Sequence, residues 1–274
     1  MQNMMWILIL FLLFLLFYLC MIAPRMTKRS QMKPFLGTMW AHRGLHCVEK
    51  GVPENSMAAF RLAVKEGYGI ELDIHLTRDG KVVVFHDDTL DRICGKKGKI
   101  EDMDWEELKQ CYLSGTSERI PLFSEVLTYI NGRVPLLIEV KQPTKDTHIC
   151  AKLAALLDEY QGAYLVQSFN CLVLGWLRKN RPGILRGQLS SDLVKSDKAP
   201  HYILRFCVKY LLSNCYGKPD FVSYKLKDSH NISLWLVQHL FGAPVAVWTL
   251  RTEDELREAQ RRFDMYIFER GGAK

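Results

Sequence analysis

Short apolar runs alternate with amphipathic stretches along most of the chain. Segments rich in Val, Ile and Leu have the length of strands, and stretches with apolar residues at helical spacing separate most of them. Strands that alternate with helices favour one α/β unit built on a parallel sheet. The predicted strands are GTMWAHRG, GYGIELDIHLT, KVVVFHDD, VPLLIEVK, AYLVQSF, ILRGQLS, DFVSYKL and APVAVWTL.

Eight strands with helical crossovers in about 235 residues match a (β/α)₈ TIM barrel in number and size. An open, doubly wound sheet is the alternative architecture. It usually has a Gly-rich phosphate loop after its first strand, and HRGLHCVEKGVPEN is not such a loop. We predict helices over 54–66, 104–113, 123–131, 147–160, 170–180, 193–215, 231–241 and 252–262.

The start of the chain has a different pattern. MMWILILFLLFLLFYLCMIA, residues 4–23, carries no charge, and a helix of that length rises about 30 Å, the thickness of a bilayer core. A secretory signal would need a basic stretch before the apolar run and a small-residue cleavage site, and neither is present. We therefore predict a transmembrane helix over 1–23.

Positive charge follows this helix rather than preceding it, in the segment PRMTKRSQMKPF. The positive-inside tendency then places the remainder of the chain in the cytoplasm. We predict a basic juxtamembrane linker over 24–37, able to rest on anionic lipid, and a barrel domain over 38–274. The expected location is the cell membrane, with a single span.

The composition and charge of the chain limit the classes of binding partner. The chain is 48% hydrophobic and 24% charged, as expected for a globular protein. Its net charge is +7, but we find no basic stripe interleaved with aromatic residues, so no nucleic-acid partner is expected. The eight cysteines form no C-x-x-C and no zinc spacing, which favours reduced thiols.

Polar side chains collect at the ends of the first four predicted strands. In a TIM barrel the carboxyl ends of the strands carry the chemistry. Alternate residues of a strand share one face, so Glu71 and Asp73 project together, and Glu139 faces inward by the same rule. Three carboxylates repel one another unless a cation is bound, and oxygen ligands suit Mg²⁺ or Ca²⁺.

Two histidines and two basic residues flank these carboxylates. His42 ends the first predicted strand and His86 the third, and their pKa values lie naturally near neutrality, which suits a proton-transfer pair. Arg43 and Lys141 add positive charge. That charge indicates an anionic substrate such as a phosphate ester.

At this point the sequence resembles the glycerophosphodiester phosphodiesterases, a branch of the phosphatidylinositol-phospholipase-C-like barrels, and looks like a membrane-anchored member of bacterial type. The motifs run from about residue 38 to near the C-terminus. They are AHRG at 41–44, PENS at 53–56, ELDIHLTRDG at 71–80, VVFHDDTLDRICG at 83–95, IEVK at 138–141 and VWTL at 247–250.

The resemblance implies hydrolysis of glycerophosphodiesters to glycerol 3-phosphate and an alcohol, with a divalent cation, Mg²⁺ or Ca²⁺. It assigns His42 and His86 as acid and base. The other implied residues are the metal ligands Glu71, Asp73 and Glu139, the phosphate-binding Arg43 and Lys141, the site-shaping Glu54 and Asn55, and Trp248 on the substrate wall.

One segment departs from the family. The usual closing DG-I/V-x-T-D-x-P is replaced by FDMYIFERGGAK, in which Asp264 is the counterpart of the family's Asp. The sequence therefore does not establish how the last strand of the barrel pairs with the first. Two other functions remain as alternatives: a lysophospholipase D acting on membrane lysophospholipids, and a catalytically silent, membrane-tethered binding protein.

Overall fold

The computed structural model describes residues 2–142, 144–195 and 202–270. Within these ranges, eight parallel strands close into a barrel, because β1 pairs with both β2 and β9. The predicted TIM barrel is thus confirmed. The strands are Met39–Ala41 (β1), Gly69–Leu76 (β2), Val82–Val84 (β3), Leu136–Val140 (β4), Tyr164–Ser168 (β5), Arg186–Ser190 (β6), Phe221–Lys225 (β7), Val245–Leu250 (β8) and Met265–Phe268 (β9).

Helices pack outside the strands. Apolar residues of both layers form the outer core, for example Phe60 of a helix against Ile70 and Leu72 of β2. The helices are Gln2–Ile22 (α1), Arg29–Met32 (α2), Met57–Glu66 (α3), Asp91–Cys94 (α4), Trp105–Leu108 (α5), Phe123–Ile130 (α6), His148–Asp158 (α7), Cys171–Asn180 (α8), Tyr202–Lys209 (α9), Asn214–Gly217 (α10), Ile232–His239 (α11) and Glu253–Arg262 (α12).

The segment KVVVFHDD is not a barrel strand, and that assignment was wrong. Val82–Val84 pairs antiparallel to the end of β2. Only the residues 77–81, which include an Asp-Gly turn, separate the two strands. A parallel neighbour needs a crossover of about a dozen residues or more, so such a short connection dictates a hairpin.

The eighth barrel strand lies instead in the segment that departs from the family. Met265–Phe268 pairs in parallel with β1 and β8 and completes the ring. Its inward face contributes Met265 and Ile267 to the barrel interior. Burial of these apolar side chains stabilises the strand in that position. The barrel therefore closes through this strand, although the segment lacks the family's usual residues.

The amino end of the barrel is filled by apolar side chains. Trp40, Leu137 and Phe221 point inward there and are fully buried. Met32 and Phe35, from the segment predicted as a linker, cover the same end. Residues 24–37 therefore pack on the barrel, where Arg25 pairs with Asp220 at 2.6 Å.

Helix α1 is the one described helix that is long and apolar enough to cross a membrane by length and composition, and its position near the N-terminus also fits a signal sequence. Most of its side chains are exposed. Its last turn packs on the barrel, where Ile22 is fully buried among Val222, Leu234 and Val245.

Candidate active site

Three carboxylates meet at the carboxyl end of the barrel. Glu71 and Asp73 lie on the inward face of β2, and Glu139 stands beside Asp73 in the register of β4. One oxygen from each carboxylate lies within 4.8 Å of the others, and all three residues are buried. Alternate residues of β2 therefore share one face in the folded strand, as the sequence analysis assumed.

Burial and mutual repulsion dominate the electrostatics of this cluster. Burial, together with the charges of Asp73 and Glu139, raises the pKa of Glu71 well above its usual range. Burial raises the pKa of Glu139 to about 7, with Asp73 adding to the shift and Lys141 opposing it. Burial opposes ionisation of Asp73 as well, but Lys141 and its other cationic neighbours lower that pKa. The protein thus concentrates more negative charge here than its own side chains stabilise.

These residues fit a hard divalent cation. The donor atoms are all carboxylate oxygens, the type that Mg²⁺ and Ca²⁺ prefer. Asp73 Oδ1 is buried, and its partner within the described residues is the ion pair with Lys141 Nζ at 3.1 Å, so hydrogen bonds from the protein do not saturate this oxygen. Within the described residues, no histidine nitrogen or cysteine sulfur joins this group of carboxylates, which disfavours zinc.

His42 follows β1 and stands at one side of the cluster. Its Nδ1 lies 2.6 Å from Glu269 Oε1, at the end of β9. Because the carboxylate accepts from Nδ1, the other ring nitrogen faces the site, and His42 Nε2 lies 4.0 Å from Glu71 Oε2. Burial lowers the pKa of His42, and the hydrogen bond with Glu269 opposes that shift.

His86 also lines the cavity and lies just after β3, the second strand of the β2–β3 hairpin. Its Nδ1 lies 2.6 Å from Asp87 Oδ1, which repeats the histidine–carboxylate arrangement of His42. Burial lowers the pKa of His86 to about 4, with the charges of Lys141 and Arg43 acting in the same direction. Arg92 then fixes Asp87 through a 2.6 Å hydrogen bond.

Arg43 and Lys141 place positive charge against the carboxylates. The Arg43 N–H donates to Glu71 at 3.0 Å, and its guanidinium donates to Glu54 at 2.7 Å. Lys141 Nζ lies 2.6 Å from Glu139 and 3.1 Å from Asp73. Both cations line the cavity described below, where an anion can reach them.

Glu54 and Asn55 support these groups. Glu54 accepts from both Arg43 and Arg92, so it links the cationic wall to the His86 side of the site. Asn55 is buried behind the cluster and donates to Asp73 at 2.8 Å. The structure therefore places Asn55 against a metal-ligand candidate and not on the cavity wall.

A cavity of about 570 Å³ opens over the cluster. Phe169 and Trp248 meet edge to face on its wall, with ring centroids 6.0 Å apart, and Leu189 extends this apolar surface. Lys225 and Lys227, at the end of β7, stand on the rim. The cavity thus joins an anionic floor, basic groups and an apolar wall.

Most residues predicted from the sequence meet here. Sequence reasoning missed Glu269, Gln167 and Arg92, which also line the cavity. Glu269 had a readable signal, because MYIFE is an apolar strand that turns polar at its carboxyl end, as IEVK does. His75 is buried, and its Nε2 lies 3.2 Å from the His86 carbonyl oxygen, which indicates a structural role.

The fold and site define a class of protein: a closed TIM barrel whose cavity holds a cluster of carboxylates able to bind a metal ion, with two histidines on the cavity wall. Residues 42–271 match the model of the glycerophosphoryl diester phosphodiesterase family, which spans most of the chain. The protein belongs to this family.

Individual relatives agree with this assignment. A glycerophosphodiester phosphodiesterase of Caldanaerobacter subterraneus is 37% identical over 160 residues, which are 54% of this chain and 65% of that protein. A human lysophospholipase D is 31% identical over 54% of this chain and 49% of its own length. The chain therefore spans between half and two thirds of these relatives.

Solved structures show the same fold. An Oleispira antarctica phosphodiesterase, in complex with its product sn-glycerol-3-phosphate, superposes with a TM-score of 0.70 at 24% identity. The similarity covers 86% of this chain and 94% of that one.

Proposed function

We propose that this protein is a metal-dependent phosphodiesterase that hydrolyses glycerophosphodiesters to sn-glycerol 3-phosphate and an alcohol. The observation that supports the proposal is the carboxylate cluster of Glu71, Asp73 and Glu139 beside one cavity, whose lining also includes two histidines that each bond a carboxylate. Family membership and the product bound to the Oleispira phosphodiesterase support the substrate class. A silent binding protein would have no need of this complete set.

Glu71, Asp73 and Glu139 would hold Mg²⁺ or Ca²⁺. A divalent cation in this position supplies Lewis-acid stabilisation of charge on phosphoryl oxygens. Arg43 and Lys141 bind the same phosphate through charge-assisted hydrogen bonds. Asn55 orients Asp73, and Trp248 bounds the part of the cavity that receives the organic substituent.

His42 and His86 transfer protons on opposite sides of the phosphate. One imidazole removes the proton from the glycerol hydroxyl next to the ester, and that oxygen attacks phosphorus. The bond to the leaving alcohol breaks, and the other imidazole donates a proton to its oxygen. Water then opens the cyclic phosphate with the two roles exchanged, so one water is consumed per diester.

We propose that α1 anchors the protein in the cell membrane as a single span, with the barrel on the cytoplasmic side. The length and apolar composition of α1 support an anchor. The Arg25–Met32 segment that follows carries the positive charge expected on the cytoplasmic side.

A lysophospholipase D reaction is the second candidate. It uses the same chemistry on a diester whose glycerol carries an acyl chain. The apolar wall of Phe169, Leu189 and Trp248 favours it, since such a wall accepts hydrocarbon. The similarity to the human lysophospholipase D also supports it.

The test is choline release by the full chain from glycerophosphocholine and from lysophosphatidylcholine, with Mg²⁺, with Ca²⁺ and with chelator. We expect release that requires metal and is lost in Glu139→Gln. Release from only one substrate identifies the preferred class. Undiminished release in chelator would contradict the mechanism, and no release from either substrate would contradict the proposed activity.

A further inference from the structure

We infer that the cavity-bearing end of the barrel lies against the lipid bilayer, so that the enzyme takes its phosphodiester from the membrane itself. This inference deepens the proposed function and rests on the proposed membrane anchor. Two apolar features carry it: the exposed part of helix α1, residues 2–17, and helix α9. Both lie at the end of the barrel where the cavity opens.

The docked turn of α1 fixes the direction of the helix. Arg25 marks the amino end of the barrel, because its N–H donates to Pro219 at 2.7 Å and its guanidinium pairs with Asp220, directly before β7. The Asn214 side chain donates to the Ile22 carbonyl at 2.9 Å and holds the next turn. The end of α1 is therefore bound at several points and not loosely tethered.

Tyr18 lies further up the barrel. Its hydroxyl bonds Ser233 Oγ at 2.7 Å, in the first turn of α11. That turn is level with the carboxyl end of β7, since the cap residue Asn231 bonds the Tyr224 hydroxyl at 3.1 Å. Going from Arg25 towards the N-terminus, α1 thus rises from the amino end to the carboxyl end.

Residues 2–17 continue past that point. Sixteen helical residues extend about 24 Å, and the large apolar side chains from Met4 to Phe17 are all exposed. The cavity opens at the carboxyl ends of the strands, beside residues such as Lys225 and Lys227. A bilayer that contains α1 therefore lies on the side of the barrel where the cavity opens.

Helix α9 supplies an independent observation. Its last turn is fixed at the carboxyl ends of β6 and β7, where Ser190 donates to Val208 at 2.7 Å and Tyr224 to Lys209 at 2.9 Å. None of its residues is buried. Its exposed apolar side chains include Ile203 at 74% and Leu204 at 59%, with Tyr202 and Phe206 beside them.

Lipid is the occupant that fits both features. A large exposed apolar patch marks an interaction site, and α9 shows its patch at the end from which the apolar part of α1 projects. Lys225 and Lys227 are exposed on the same rim and make no ion pair within the described residues, so they suit anionic head groups. An amphiphilic phosphodiester in that bilayer would face the cavity.

The experiment uses the full chain in lipid nanodiscs of phosphatidylcholine and phosphatidylglycerol, loaded with one chain per disc. Hydroxyl-radical footprinting measures the labelling of each side chain. We expect severalfold less labelling of Ile203, Leu204 and Phe206 than of two comparators at the amino end, Leu36 and Leu240. Those comparators are 44% and 56% exposed.

A flotation assay with vesicles separates the possible failures. A chain that does not float overturns both the anchor and the inferred orientation. A chain that floats but labels equally at the two ends, or is protected at Leu36 and Leu240, overturns the orientation alone and leaves the proposed hydrolysis intact. One chain per disc excludes coverage of α9 by a second copy.

An activity comparison gives the functional readout. Leu204→Asp places charge at the lipid surface, and Leu36→Asp is the matched control at the opposite end. We expect Leu204→Asp to lower choline release from vesicle-bound lysophosphatidylcholine severalfold and to leave release from soluble glycerophosphocholine unchanged, which also reports correct folding. Equal rates of the two variants on the vesicle substrate would overturn the inference.

Discussion

The two ends of the barrel use the same inward-facing positions for opposite purposes. Trp40 of β1 fills the amino end, and His42, two residues later and just past the end of β1, lines the active-site cavity. Leu137 and Glu139 repeat this change on β4. Two residues of strand advance about 6.6 Å, so that small step separates the residues that hold the barrel closed from those proposed to carry the chemistry.

The comparison predicts that stability and activity can be lost separately. An apolar side chain at the amino end stabilises the fold by leaving water. A buried carboxylate at the carboxyl end opposes folding unless it is paired. Substitutions two residues apart on one strand should therefore have different signatures.

The largest effect is expected for His42→Ala. Loss of a general acid or base costs about 10²–10⁴-fold in rate, and His42 makes little contribution to the apolar core. We expect kcat to fall by that factor while the urea midpoint falls much less than after a core substitution, because Arg251 still pairs with Glu269. His148→Ala is the control, because the His148 side chain is 87% exposed and does not line the cavity. A His42→Ala enzyme with normal kcat would contradict the assigned role.

Trp40→Ala should give the opposite signature. Its side chain is fully buried at the amino end, and removal of such an aromatic costs about 3–5 kcal/mol of unfolding free energy. Urea unfolding measures the loss, and kcat per folded molecule should be retained at low temperature. A large fall in kcat with unchanged stability would break the separation between the two ends.

Glu269→Gln should have an intermediate effect. The carboxylate orients His42 from 2.6 Å, and loss of a charged hydrogen bond costs about 1.5 kcal/mol or more, equivalent to about ten-fold in kcat. Asp254→Asn is the control, because the Asp254 side chain, in the first turn of α12, is exposed. An unchanged kcat in Glu269→Gln would show that His42 needs no partner.

The smallest effect concerns pH. Burial alone would raise the pKa of Glu269, but the hydrogen bond and charge of His42, with Arg251, lower it to about 2. A lowered pKa means that Glu269 stabilises the fold above its unfolded pKa, and that this contribution disappears as the pH falls towards 2. Glu269→Gln should therefore lose less stability than the parent between pH 5 and pH 3, measured by urea unfolding. An equal loss would contradict the pairing.

The sequence predicted the parts of the site that follow from local alternation. Glu71 and Asp73 share a face because they are two residues apart, and Glu139 was found by the same rule. His86 lines the cavity, but the premise of its assignment was wrong, since it follows a hairpin strand and not a barrel strand. The five-residue connection before Val82 carried the signal for that hairpin.

Other features were beyond local pattern. The pairing of His42 with Glu269 joins positions 227 residues apart, and only barrel closure brings them together. The Glu54–Arg92 contact depends on the loop before α3 and the short helix α4 meeting at the cavity. Residues 24–37 pack on the barrel because Met32 and Phe35 contact apolar side chains that come from several strands. No single segment of the sequence shows that these side chains form one surface.

The central claim is that Glu71, Asp73 and Glu139 bind one divalent cation between the two histidines. Isothermal titration of the metal-stripped full chain with Mg²⁺ and with Ca²⁺ tests it most directly, with Glu139→Gln as the variant and Glu253→Gln as the exposed control. We predict one site per chain in the parent and the control, and none in Glu139→Gln. Metal binding of equal affinity and stoichiometry in Glu139→Gln, or no binding by the parent, would contradict the account.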